Sequence, residues 1–375
     1  LRDRADVTGC VARSQAACPP TAMDFGFFCR EVQGQCIVVG GGYAGLTVAR
    51  DLSAAGVTVT LVDNKDYWDY CIAAPRLVVA PDEAADYTPP YAKICEHLGV
   101  CFVKGKVAAV RDGGVTLEGG VSLEAQAVVV AVGKGYGSVW KGDEETAEAR
   151  AAAYASVAGE IERAASVVVA GAGLVGCEVA GEIRSKFPEK KVTLVGATAG
   201  GSQKLRDATD GALAELGVTR VAGRCARDAA GAVTAGDEVL ECDCYLDCTG
   251  TTHRAAALVA DEFPDAAGPA GGVVTEGTLA VKGAYSVFAV GECVETPKNR
   301  FVPPSGVQHA EATAATVVAN VTRCVLAGKA ASVNHAWAAA PVLVPCVSSF
   351  GPDWAVADFG GPYMTAKAEG FIGKK

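Results

Sequence analysis

Cys36-Ile37-Val38-Val39-Gly40-Gly41-Gly42-Tyr43-Ala44-Gly45 is the stretch on which the reading of this 375-residue chain turns. Four apolar residues in succession predict a short strand buried on both faces, as in a parallel sheet. The glycines then permit a tight turn, and Leu46 to Ala55 has the pattern of a helix that Gly56 ends. A second strand, Val57-Thr58-Val59-Thr60-Leu61-Val62, delivers Asp63 at its carboxyl end. In such a strand–turn–helix–strand unit, Gly40 makes the bend, Gly42 lets a phosphate approach the backbone, and Gly45 lets helix and strand pack closely, with Tyr43 and Ala44 completing the turn. The unpaired N–H groups and positive dipole end of the helix receive a pyrophosphate. Asp63, about twenty residues on, is placed to accept hydrogen bonds from ribose hydroxyls.

The same pattern returns further along. Ser166-Val167-Val168-Val169-Ala170 is the strand, Gly171-Ala172-Gly173-Leu174-Val175-Gly176 the turn, Cys177 to Phe187 the helix and Lys191 to Val195 the next strand. Gly171, Gly173 and Gly176 predict a second dinucleotide site. Its strand ends in Val195-Gly196-Ala197, without the carboxylate that would favour NAD over NADP, so the choice of nicotinamide stays open. Lys204 and Arg206 read either as solvated surface charge or as partners of a 2′-phosphate. Glu178, expected in the first turn of the helix, reads either as a carboxylate stabilised by the helix dipole or as a group facing the gap between two nucleotides.

Two such sites in one chain imply electron transfer: a tightly held flavin and a diffusible nicotinamide, stacked so that hydride passes between their rings. The composition agrees with a folded enzyme. Half the residues are apolar and 20% charged, which supports a sizeable core. Lysine plus arginine number 33 against 43 acids, a net charge of -10 that argues against a nucleic-acid partner. The 15 cysteines are odd in number and several occupy apolar positions of strands and helices, as expected of mostly free, buried thiols in a reducing compartment. The longest apolar stretch, Ala336 to Val347, is broken by Pro341 and Pro345 and is too short to cross a bilayer. Residues 1–34 are read as an unstructured or non-native extension, with Met23 as a candidate start.

Several stretches are specific enough to carry a family resemblance. They are Val62-Asp63-Asn64-Lys65-Asp66-Tyr67-Trp68 with Ala74-Pro75-Arg76, Phe187-Pro188-Glu189-Lys190-Lys191-Val192-Thr193-Leu194, Cys242 to Gly250, Val287 to Cys293, and Gly370-Phe371-Ile372-Gly373-Lys374. Together with the two glycine turns, they make the chain resemble the pyridine nucleotide–disulfide oxidoreductases, and within them the apoptosis-inducing-factor-like and ferroptosis-suppressor-like branch. The resemblance implies an α/β fold of two Rossmann-like domains, one for FAD and one for NAD(P), the second inserted in the first, with a short C-terminal α+β segment. The expected boundaries are 35–142 and 271–326 for the FAD domain, 143–270 for the NAD(P) domain, and 327–375 for the C-terminal segment. It further implies that Gly40, Gly42, Gly45 and Asp63 bind the ADP half of FAD, with Lys65 and Arg76 near the flavin or its phosphates. Val107 would contact adenine through its backbone, and Gly133 would line the same side. Gly291 and Glu292 would hold the ribityl chain, and Gln308 and His309, at the start of an expected 305–326 helix, would approach the isoalloxazine edge. Gly171, Gly173, Gly176 and Glu178 would serve NADH or NADPH.

Two departures matter. Glu292 stands where the branch has aspartate, and Cys71 has no cysteine partner in its segment, which excludes a disulfide relay and sends electrons from flavin directly to the acceptor. His309 reads either as a packing residue or as a proton donor to the reduced acceptor. Cys242, Cys244 and Cys248 read as buried apolar thiols rather than metal ligands, and Trp337 to Val347 as core or as a surface for a quinone or membrane. The expectation is an FAD-dependent NAD(P)H oxidoreductase with a quinone-like acceptor, monomeric or homodimeric, in the cytoplasm or an organellar stroma or matrix, alone or peripheral on a membrane. Alternatives are a reductase of a small redox protein or ascorbyl radical, and an NADH-responsive signalling flavoprotein.

Overall fold

The computed structural model describes residues 35–197, 203–295 and 306–327, with the strands Cys346–Ser349, Trp354–Asp358 and Tyr363–Lys367. Two parallel sheets organise it. The first has five strands in the order Val287–Ala289, Ala127–Val130, Cys36–Val39, Val59–Asp63, Cys101–Lys104. The second has four, in the order Thr219–Val221, Lys191–Val195, Ser166–Ala170, Cys244–Asp247. One edge strand of the first sheet thus comes from chain that follows the whole second sheet, so the second unit is inserted in the first. The two connections between the units pair with each other, Gly135 and Thr252 exchanging N–H to carbonyl bonds at 2.8 Å.

Alternation along the central strand explains its burial on both faces. Cys36 and Val38 face the helices Tyr43–Ala54 and Val307–Ala327, packing with Val48, Leu52, Val317 and Val321. Ile37 and Val39 face the opposite way, onto Val110, Val115 and Leu117 of a small antiparallel sheet. Each such side chain removed from water contributes about 1.5–3 kcal/mol before conformational entropy is set against it.

Boundaries depart from the periodicity in an instructive way. The run from Cys101 to Val110 is two strands: Cys101–Lys104 extends the parallel sheet, and after Gly105, whose N–H donates to Asp63 O at 2.8 Å, Val107–Arg111 opens the antiparallel sheet. The run from Glu238 to Cys248 likewise divides into Glu238–Leu240, in a three-stranded hairpin sheet, and Cys244–Asp247, in the parallel one. Alternation of side chains does not reveal a change of partner strand. Both glycine-turn helices begin three residues earlier than expected, at Tyr43 and Leu174, because Gly42 and Gly173 are themselves the N-caps. The helix expected at 305–326 runs Val307–Ala327. Most of Trp337 to Val347 and all of Gly370 to Lys374 lie outside the described residues. Among the described residues no helix is long and apolar enough to cross a membrane.

Candidate functional site

The two glycine turns are built alike, at the carboxyl edges of the two parallel sheets. Gly40 N–H donates to Val62 O at 2.8 Å, and Gly171 N–H donates to Val195 O at 2.8 Å. Both residues have positive φ, +96° and +97°, and a Cβ on either would lie 2.8 Å from a carbonyl of the neighbouring strand's exit, Ala131 O or Cys248 O. A Cβ at Gly45 would run into Gly40 O, and one at Gly176 into Gly171 O, so these glycines seal helix to strand. Gly42 and Gly173 differ in kind: their φ values, −64° and −74°, suit any residue, and a Cβ there would meet nothing within 4 Å. Each turn therefore leaves open space over a helix N-terminus, the cradle a pyrophosphate fits.

The acid-bearing strand ends are not alike. Asp63, 8% exposed, accepts Gly41 N–H at 2.7 Å and Lys65 N–H at 2.9 Å, fixing its own turn. Its counterpart Gly196 has φ +142°, and a Cβ would stand 2.8 Å from Ala172 N. No side chain, and so no carboxylate, is accommodated there without strain; the Arg220 guanidinium donates to Gly196 O at 3.5 Å. Lys204 is exposed, and Arg206 donates to Gln203 Oε1 at 2.8 Å on the exposed face of its helix.

Around the first turn the structure gathers several expected residues. Ala44 is buried, and a Cβ on Gly291, at φ +74°, would fall 2.9 Å from Ala44 Cβ, so the Val287–Ala289 strand exit lies against the first turn. Tyr43 packs edge-on to Trp68 with centroids 5.3 Å apart and is hydrogen-bonded to Tyr70. Lys65 Nζ lies 6.0 Å from the Tyr67 ring. Val107 is 8% exposed in the antiparallel sheet, opposite Leu117, and Gly133, φ +63°, borders open space. His309 is 5% exposed in the first turn of its helix; burial lowers its pKa despite the Glu292 charge and a bond with the Gly291 backbone. The Gln308 side chain lies outside the described residues.

Arg76, expected near the flavin or its phosphates, makes two ion pairs. Its guanidinium bridges Glu83 at 3.0 Å and Glu182 at 3.3 Å, tying the segment after Asp63 to the Leu174–Lys186 helix. Lys186 Nζ reinforces the tie on Val79 O. Glu178 is half-buried one turn before Glu182 and is the fifth residue of that helix, not in its first turn; the dipole reading weakens, since that field falls off within one turn.

Three features had no sequence signal. Thr313, on the buried face of the Val307–Ala327 helix, accepts Gly291 N–H at 3.1 Å and donates to His309 O at 2.8 Å, coupling strand exit to helix. Lys141 pairs with Glu292 at 3.0 Å. Arg150, fully buried, pairs with Asp69 at 3.2 Å and Glu144 at 3.4 Å and donates to Tyr154 OH at 2.6 Å. A cavity of about 460 Å³ opens beside Lys141 and Tyr136. Cys71 is a free thiol, as are the buried Cys36, Cys177, Cys244, Cys293 and Cys324.

Comparison with known proteins gives a consistent result. The family model described as "Pyridine nucleotide-disulphide oxidoreductase" matches residues 34–315. Ferroptosis suppressor protein 1 of Xenopus tropicalis is 27% identical over 348 residues, 88% of this chain and 89% of that protein. Apoptosis-inducing factor homolog A of Dictyostelium discoideum is 31% identical over 167 residues, 42% of this chain and 40% of that protein. Among solved structures, the sulfide:quinone oxidoreductase of Aquifex aeolicus shares the fold, with a TM-score of 0.67 at 17% identity over 88% of this chain and 86% of that one.

Proposed function

This chain belongs to the pyridine nucleotide-disulphide oxidoreductase family, with FAD and NADH or NADPH as its cofactors, and we propose that it passes electrons from the nicotinamide through the flavin to a quinone-like acceptor. The observation that carries this reading is the duplicated glycine cradle, one at the edge of each parallel sheet. When bound, the flavin supplies the redox chemistry, accepting hydride and releasing electrons to the acceptor.

The chain's own residues hold and orient. Gly40 makes the turn and Gly45 seals helix to strand, so that the FAD pyrophosphate would lie in the open space at Gly42 over the helix N-terminus, and Asp63 keeps the turn closed through Gly41 N–H while facing the ribose. Gly171, Gly173 and Gly176 do the same for the nicotinamide nucleotide. Glu178 lines the wall between the two, and the Arg76–Glu182 tie holds the helix carrying it against the flavin-side segment. Gly291 and Glu292 flank the ribityl chain. The His309 imidazole, kept neutral near pH 7 by burial, takes a proton from solvent and hands it to the reduced acceptor.

Cys71 is a free thiol, and no other cysteine lies between it and Cys95, which supports direct transfer from flavin to acceptor. The quinone-like acceptor follows from the resemblance to the ferroptosis-suppressor-like branch. The test is a spectrum of the purified protein, titrated without oxygen by NADH and NADPH and then mixed with a soluble quinone or, in parallel, an oxidised ferredoxin. Reoxidation by the quinone and not the ferredoxin is expected; the reverse order overturns the acceptor.

A further inference from the structure

Lys141 lies in the connection from the first unit to the second, where no motif singles it out. Its ammonium is 3.0 Å from Glu292 Oε2, with the two side chains 28% and 18% exposed. The same ammonium stands 5.3 Å from the Tyr136 ring centroid, a cation–π contact. Around this pair meet the elements that surround the first glycine turn. Gly291, next to Glu292, lies against Ala44 of the turn's own helix and donates its N–H to Thr313 of the Val307–Ala327 helix at 3.1 Å. Burial works against the charge on Lys141, but Glu292, Cys71 and Tyr136 together outweigh it, so its pKa is raised and the ammonium persists at neutral pH.

A fixed charge in a partly buried place acts further than one at the surface, because less water screens it. Glu292 stands where the family resemblance leads to aspartate, and its carboxylate is taken up by Lys141. The site therefore carries a cation and an anion side by side, of opposite effect on any neighbouring group that changes charge. Reduction places negative charge on the isoalloxazine ring, and charges near that ring are a principal means by which a protein tunes it.

We propose that Lys141 sets the reduction potential of the flavin, its positive charge favouring the reduced form, while Glu292 holds the ammonium in place and partly offsets it. This rests on the reading above that Gly291 and Glu292 flank the ribityl chain. It assigns to Lys141 an electrostatic role rather than a structural one, and the two roles separate in a measurement other than turnover.

The experiment compares wild type with Lys141→Met, Lys141→Arg and Glu292→Gln. Flavin content is read from each spectrum, and the midpoint potential is measured without oxygen against reference dyes. The potential is expected to fall in Lys141→Met, to rise in Glu292→Gln and to stay at the wild-type value in Lys141→Arg. A merely structural pair predicts that Lys141→Met and Glu292→Gln, which break the same bond, behave alike; shifts of one sign, or none, overturn the proposal. Should Lys141→Met purify without flavin, Lys141→Gln, which keeps a polar group beside Glu292, takes its place: a potential below wild type supports the role, and one that is unchanged or higher overturns it. A wild-type protein without flavin overturns the functional reading itself, a result distinct from loaded proteins of equal potential.

Discussion

At Gly42 an added methyl group meets nothing within 4 Å and the backbone is already in a conformation any residue adopts, whereas at Gly45 it would collide with the Gly40 carbonyl. The two glycines of one motif therefore predict different failures. Gly42→Ala keeps the wild-type melting temperature and loses about tenfold or more in FAD affinity, the factor that 1.4 kcal/mol of lost contact implies. Gly45→Ala is destabilised by about 1–3 kcal/mol through overpacking and loses flavin with its fold. Flavin content and thermal unfolding of the two variants, measured side by side, distinguish the outcomes; a Gly42→Ala protein that keeps full flavin contradicts the assignment of the open space. Gly173→Ala is expected to behave toward the nicotinamide as Gly42→Ala does toward FAD. Gly196→Glu, by contrast, is a poor probe of NADH preference, since φ +142° and the close approach of Ala172 N strain the site first.

The connection entering the second unit is zipped onto the segment after Asp63. Asp66 N–H donates to Glu145 O at 3.1 Å, Tyr67 OH to Glu144 O at 3.0 Å, and Arg150 closes the seam on Asp69 and Glu144. Burial raises the Asp69 pKa even though Arg150 opposes it, so the seam is costly to form and more so to break halfway. Arg150→Met leaves Asp69 buried without its cation and is expected to cost about 3–5 kcal/mol, read as a lower urea midpoint at unchanged slope. A change within 0.5 kcal/mol would mean that the seam contributes nothing. This is also the scale at which the sequence becomes hard to read. The glycine turns and their four- and five-residue apolar strands announce themselves, because backbone conformation and burial leave local marks at Gly40 and Val38. Arg150 sits in an alanine-rich helix and looks like solvated charge; Lys141 finds Glu292 across 151 positions, and Thr313 finds Gly291 across 22. Such pairs have no period and no motif, and only the folded chain brings them together.

Across the whole molecule, the doubly wound architecture was legible from two copies of one pattern, while the division of 101–110 and 238–248 between sheets was not, because a strand's alternation does not say which neighbour it pairs with. Buried His309 and half-buried His253 give the whole fold a pH dependence. His309 faces Glu292, the Gly291 backbone and Lys134, and His253 faces Lys134, Glu295 and Glu292; burial lowers both pKa values. An unfolded histidine titrates near 6.5, so below about that pH the unfolded chain binds more protons than the folded one. The stability that neutral His309 allows is present above that pH and is lost as pH falls through its lower folded value. Urea midpoints measured downward from pH 7 are expected to drop less in His309→Gln than in wild type; parallel curves would contradict this.

All of this requires that one chain hold a flavin and a nicotinamide in electronic contact. Titration of the purified protein with NADH and NADPH in the absence of oxygen, followed in the visible flavin band, tests it most directly. A yellow protein is expected, whose absorbance is bleached by one equivalent of at least one of the two nucleotides and returns on adding a quinone. A colourless protein, or a bound flavin that neither nucleotide bleaches, would contradict it.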